Sequence, residues 1–189
     1  MDEYVLIQNN ITQFMDTAAI NKLVLTADDI GCALRAQLLF EQFLTVYLDE
    51  RIEANQKRFF NGLKYFDQKL MIAVAFGLNV EIADALKAAN KIRNGFGHKP
   101  DAIFKPEQIK RFTGLVNAAP SLLFELPNVE NAAFHAGEEG RIIRYGTSDK
   151  KTDFACCALI LLQKCTNWLI SDLQMRGALR TTPAPSPLV

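Results

Sequence analysis

The sequence predicts an all-α fold: a bundle of four to five main helices with one irregular excursion, able to hold a short β-hairpin, ahead of the last helix. Two observations carry this expectation. Apolar residues recur at helical spacing through several long segments, the pattern of helices that each bury one face. Glycine and proline gather instead in residues 119–146, where Pro120, Pro127, Gly137, Gly140 and Gly146 break any helical period. With 189 residues, 49% apolar and 22% charged, the chain fits one globular domain around one core. The expected domain covers 1–176 with its excursion at about 119–147, and the Pro-rich segment 177–189 has the composition of a disordered tail.

Taken in order, Val5, Ile7, Ile11, Phe14 and Met15 suggest a short first helix. Thr26, followed by Asp28 and Asp29, marks a helix start, with Thr26 as the cap and two carboxylates set against the positive end of the dipole. Ile30, Ala33, Leu34, Leu38, Glu41, Leu44 and Leu48 continue at helical spacing to about Arg51. Residues 53–62 are polar and read as a connection. Residues 63–77 are helical in pattern, and Gly77-Leu78-Asn79 supplies a stop and a new start.

In the next helix Ile82, Leu86 and Ala89 form an apolar stripe, and eleven steps of about 100° bring Arg93 to within about 20° of Ile82. A charge in that position wants a partner. Gly95, Gly97 and Pro100 then weaken and stop the helix. Residues 106–116 read as another helix. Within the excursion, 141–145 reads as a short strand with 122–126 as its expected mate. Ser148 or Asp149 caps the last helix, whose face carries Phe154, Cys157, Leu161, Cys165, Trp168 and Leu173.

Net charge is zero and the pI is 6.7, so no global field draws the molecule to nucleic acid or an anionic membrane. The charge is unevenly spread, with residues 1–50 mostly acidic and residues 86–111 mostly basic. Cys32, Cys156, Cys157 and Cys165 show no metal-ligand or disulfide spacing and read as small core residues; neither a metal nor another cofactor is expected. His135 lies in the excursion as an expected solvated loop residue. The acidic N-terminus lacks a signal-peptide pattern, and polar residues interrupt every apolar stretch short of a bilayer span, so a cytoplasmic location without membrane association is expected.

The run Lys91-Ile92-Arg93-Asn94-Gly95-Phe96-Gly97-His98 resembles the Arg-polar-x-x-x-His signature of the HEPN superfamily. With Phe66, Ala73, Gly77-Leu78, Ile82 and Leu86 before it and Phe104, Ile109 and Leu115 after it, the pattern is most similar to the mannitol-operon-repressor branch. The resemblance covers about residues 28–116; it departs from the usual catalytic pattern in Gly95 and Gly97 and in having no Tyr after His98. It implies a HEPN-like bundle and a metal-independent endoribonuclease of a toxin or defence system. His98 would be general acid or base, Arg93 the phosphate-steadying cation and Asn94 an orienting group. It also implies a homodimer in which two motifs meet, with an antitoxin or regulatory protein as a further partner.

The residue types suit that chemistry. Imidazole titrates at about 6.5, near the operating pH, and guanidinium offers a fixed fork of donors to a phosphate. Lys91 and Lys99, in the basic stretch around the motif, are the expected RNA-phosphate contacts. On a straight helix His98 would lie about 140° from Arg93, so the site needs either a bend at the glycines or a second chain. The structural alternative pairs Arg93 with Glu41 and leaves His98 capping a helix end. The corresponding functional alternative is a non-catalytic transcriptional regulator acting through protein contacts.

Overall fold

The computed structural model describes residues 5–7, 9–11, 14–97, 102–137 and 141–183. Among them the helices are α1 (Thr17–Leu25), α2 (Asp29–Arg51), α3 (Lys57–Phe60), α4 (Phe66–Ala75), α5 (Val80–Phe96), α6 (Pro106–Ala118) and α7 (Lys150–Met175). Two small antiparallel ribbons complete them: β1 (Val5–Ile7) with β4 (Thr181–Pro183), and β2 (Ala133–Ala136) with β3 (Arg141–Arg144). The all-α bundle with a short hairpin is thus the observed fold.

The long helices α2 and α7 form the centre. α2 packs against α7, α4, α5 and α1, while α6 bridges α5 and α7. A stack of Phe104 on Phe154, centroids 4.6 Å apart, with Phe96 edge-on at 5.1 Å and Phe112 at 5.5 Å, ties α5, α6 and α7 together. α7 is long and apolar enough to cross a membrane, but 78% of its apolar window is buried against the other elements, as befits a core helix. All four cysteines are buried free thiols.

Several expectations are corrected. The N-terminal segment forms β1, not a helix, and the first helix begins at Thr17 under the Asp16 cap. Thr26 ends α1, and Asp28 caps α2 by accepting from the Gly31 N–H at 2.6 Å. On α2 the buried face runs through Ala33, Ala36, Phe40, Phe43, Leu44 and Tyr47, which leaves Leu38 61% exposed. The stripe rotates because α2 is covered on several sides, so no single seam dictates its register.

β3 pairs with β2 and not with 122–126, whose backbone is claimed by a side chain of α7. Asn167 Oδ1 accepts from the Leu122 and Leu123 N–H groups at 2.7 and 2.9 Å, and its Nδ2 donates to the Phe124 carbonyl. Of the expected loose tail 177–189, residues 177–183 fold back along the N-terminus, and residues 184–189 lie outside the described residues. Asn9 Oδ1 accepts from the Arg180 N–H at 2.8 Å, and β4 follows.

Candidate functional site

Arg93 is delivered by the way α5 starts. Gly77 has a φ of +97°, a left-handed turn that side-chain-bearing residues rarely adopt, and Asn79 then caps the helix by accepting from the Ile82 N–H at 3.0 Å. Ile82, Leu86 and Ala89 are buried as one stripe, so the register along α5 is fixed. Arg93 follows that stripe and emerges partly buried at the margin of the core.

Its expected partner is engaged elsewhere. Glu41 accepts from Lys69 Nζ of α4 at 2.8 Å, and the same ammonium donates to Thr45 Oγ1 at 3.2 Å. α2 packs against α4 as well as α5, and the carboxylate is drawn to the lysine. Arg93 Nη1 donates instead to Asn94 Oδ1 at 3.0 Å, while its buried Nε has no partner among the described residues. The guanidinium is therefore steadied by a neutral neighbour, with no carboxylate within salt-bridge distance among the described residues.

Arg93 and Asn94 line a cleft of about 300 Å³ between α2, the start of α4 and α5. Opposite them stand Gln37 and Glu41, with Tyr65 and Asp67 on the third wall. Asn90 Nδ2 donates to Asp67 Oδ1 at 2.9 Å, which fastens α5 to α4 beneath the cleft. Gln37 is buried, and its Oε1 has no hydrogen-bond partner among the described residues. The Tyr65 ring is 69% exposed at the rim. The volume is at the small end of ligand pockets, roughly 300–1,000 Å³.

The predicted site residues divide. Arg93, Asn94 and Glu41 share this cleft. Lys91 lies two residues from Arg93, about 200° around the helix, and lines a different cavity between α5 and α6. His98 and Lys99 lie outside the described residues. Reasoning from sequence missed Gln37, Tyr65 and the Asn90–Asp67 link. Gln37 precedes Glu41 by four residues on α2, a spacing that sets two polar side chains on one face of an otherwise apolar helix.

Other candidate groups are chemically quiet. Burial pushes the thiols of Cys32, Cys156 and Cys157 from the ordinary 9.0 up to about 12, and raises Cys165 as well. None is a nucleophile at neutral pH. His135 is exposed on β2 opposite Ile142. Among the described residues no group of three or more His, Cys, Asp or Glu side chains gathers as a metal site. No protein-family model, curated protein or solved structure matches the chain.

Proposed function

We propose that the chain is an RNA-interacting protein of the HEPN type, a metal-independent endoribonuclease whose cleaving groups are Arg93, Asn94 and His98 in a homodimer. The observation that carries this reading is the state of Arg93: a partly buried guanidinium, held by Asn94 at 3.0 Å, with no carboxylate within salt-bridge distance among the described residues even though Glu41 and Asp67 line the same cleft. A structural arginine at the margin of a core would be neutralised there. One without such an ion pair is available to a phosphate, and its planar fork of donors fits phosphate oxygens.

In the proposed reaction the His98 imidazole takes the proton of a ribose 2′-hydroxyl as the 2′-oxygen bonds to phosphorus. The bond to the 5′-oxygen breaks, that oxygen takes the proton from the His98 imidazolium, and the products carry a 2′,3′-cyclic phosphate and a 5′-hydroxyl. Arg93 offsets the charge that builds on the phosphoryl oxygens, and Asn94 fixes the guanidinium plane. Purified protein in EDTA is expected to cut single-stranded RNA and leave cyclic-phosphate ends. His98→Ala and Arg93→Ala are each expected to lower the rate by about 100-fold or more. Cleavage untouched by His98→Ala, or none of any RNA tested, would defeat the proposal.

A second reading has its own support. A non-catalytic regulator working through protein contacts, as the resemblance to the mannitol-operon-repressor branch allows, is favoured by the basic cavity on the opposite side of α5.

A further inference from the structure

We infer that the groove between α5 and α6 is a docking site for an acidic amphipathic helix of a partner protein. The inference does not depend on whether the Arg93 cleft cuts RNA, because the groove lies on the other face of α5. Two cavities form it, of about 510 and 370 Å³, and they join at Ile92 and Gln108, which line both. Lys87 and Lys91 form one wall and Arg111 stands on the other, with Lys105 at the far end. All four are exposed, and none has a carboxylate within salt-bridge distance among the described residues. Other described cations outside the groove, Lys22 and Arg35 among them, are also without an ion pair among the described residues, so what marks these four is their gathering along one apolar groove. Among the described residues Asp84 is the one acidic lining residue, at the opposite end from Lys105.

The floor decides the occupant. It is apolar, built from Ala88, Ile92, Phe112 and Leu115 and continued by Ala102 and the 72% exposed Ile103. A single-stranded nucleic acid would satisfy the walls, but such sites combine them with exposed rings on which bases stack. The rings here, Phe112 and Phe96, are buried in the core. A helix with an apolar stripe flanked by carboxylates satisfies both floor and walls, which is the helix-in-groove mode of recognition. From Asp84 to Phe96 the groove runs roughly 18 Å at 1.5 Å per residue, the length of about three helical turns. Lys87 and Lys91 are one helical turn apart, so glutamates spaced i, i+4 along one flank of the ligand would meet both.

The test titrates the full chain against a fluorescein-labelled peptide of about 14 residues, with leucine at i, i+3, i+4 and i+7 and glutamate on both flanks. A counterpart carrying lysine for glutamate and a single-stranded RNA of about 12 nucleotides are run beside it, all by anisotropy in EDTA. The acidic peptide is expected to bind saturably and to weaken as salt rises. Lys87→Glu and Arg111→Glu should each weaken it about 10-fold or more at unchanged melting temperature, while Lys22→Glu on α1 should leave it unchanged. Equal binding of the lysine peptide, no saturable binding of the acidic one, or indifference to both groove substitutions would overturn the inference. So would RNA binding lost by Lys87→Glu without acidic-peptide binding, which would make the groove a nucleic-acid track. Self-association abolished by the same substitutions would give it instead to a second copy. RNA cleavage is scored separately, so a failed nuclease and a failed docking site read out differently.

Discussion

Replacing Arg93 with alanine separates a phosphate-binding arginine from a structural one through stability alone. The side chain is partly buried, and its one described polar contact is the 3.0 Å hydrogen bond to Asn94, which is itself exposed. Truncation removes two methylenes, Cγ and Cδ, that are only partly buried, which costs about 1 kcal/mol at roughly 0.8 kcal/mol per fully buried methylene. Against that, it removes a buried Nε that has no acceptor among the described residues, a group that costs roughly 1–3 kcal/mol to desolvate. The net change should lie within about 1 kcal/mol.

For a domain of this length that is a shift in melting temperature of no more than about 4 °C. An arginine that neutralised a buried carboxylate would instead strand it, at roughly 3–5 kcal/mol. Asp172→Ala supplies that scale in the same molecule: Asp172 is buried and is held by Arg51 at 2.5 Å and by Arg176 at 3.0 Å, so both guanidinia lose their partner. Thermal unfolding followed by circular dichroism compares the two variants directly. If Arg93→Ala drops the melting temperature as far as Asp172→Ala does, the arginine is structural and the argument for an available guanidinium fails.

Lys164→Met tests a second buried cation, one whose role is structural. Its ammonium donates to the Val116, Asn117 and Ala119 carbonyls at 2.7, 3.1 and 2.5 Å, closing the C-terminal end of α6, so removing the donors should destabilise the fold by about 2 kcal/mol in denaturant melts; a neutral result would mean those carbonyls find water. The cysteines make a prediction about pH. Because Cys32, Cys156 and Cys157 titrate near 12 when folded and near 9.0 when exposed, the native state holds its thiol protons longer than the unfolded chain does. Their contribution to stability is therefore present below pH 9 and is lost as pH rises toward 12. Melts between pH 7 and 10.5 should show the decline, and a thiol reagent at pH 8 should label none of them before unfolding; rapid labelling of the folded protein would contradict their burial.

What the sequence made legible and what it hid follow from the range of the interactions involved. The stripe Ile82, Leu86, Ala89, the stop and start at Gly77-Leu78-Asn79, and the Pro106 opening of α6 are all settled within a few residues, and each stands where local chemistry puts it. The partner of 141–145 was not local information. Residues 122–124 are held by Asn167, more than forty positions along the chain, and no periodicity announces that an asparagine of α7 will satisfy three backbone groups of a loop. β1 and β4 pair across almost the whole chain, so neither three-residue segment carries a signal of its own. Glu41 shows the same limit in a charge. Its helix was readable, but its choice of Lys69 depended on which neighbour α2 turned toward it.

The site carries this lesson further, because the motif run straddles two faces of one helix. Lys91 and Arg93 look like one basic cluster in the sequence, yet about 200° of helix separates them, and each opens on its own cavity. A single short ligand cannot engage both from one cleft. Either a polymer passes around the C-terminal end of α5, in which case Lys87→Glu and Arg93→Ala should weaken the same ligand, or the two faces serve different ligands and the substitutions separate. The unpaired cations above an apolar floor on one side, and a guanidinium steadied by an amide on the other, are different recognition chemistries. That difference favours separation, with the two substitutions disturbing different ligands.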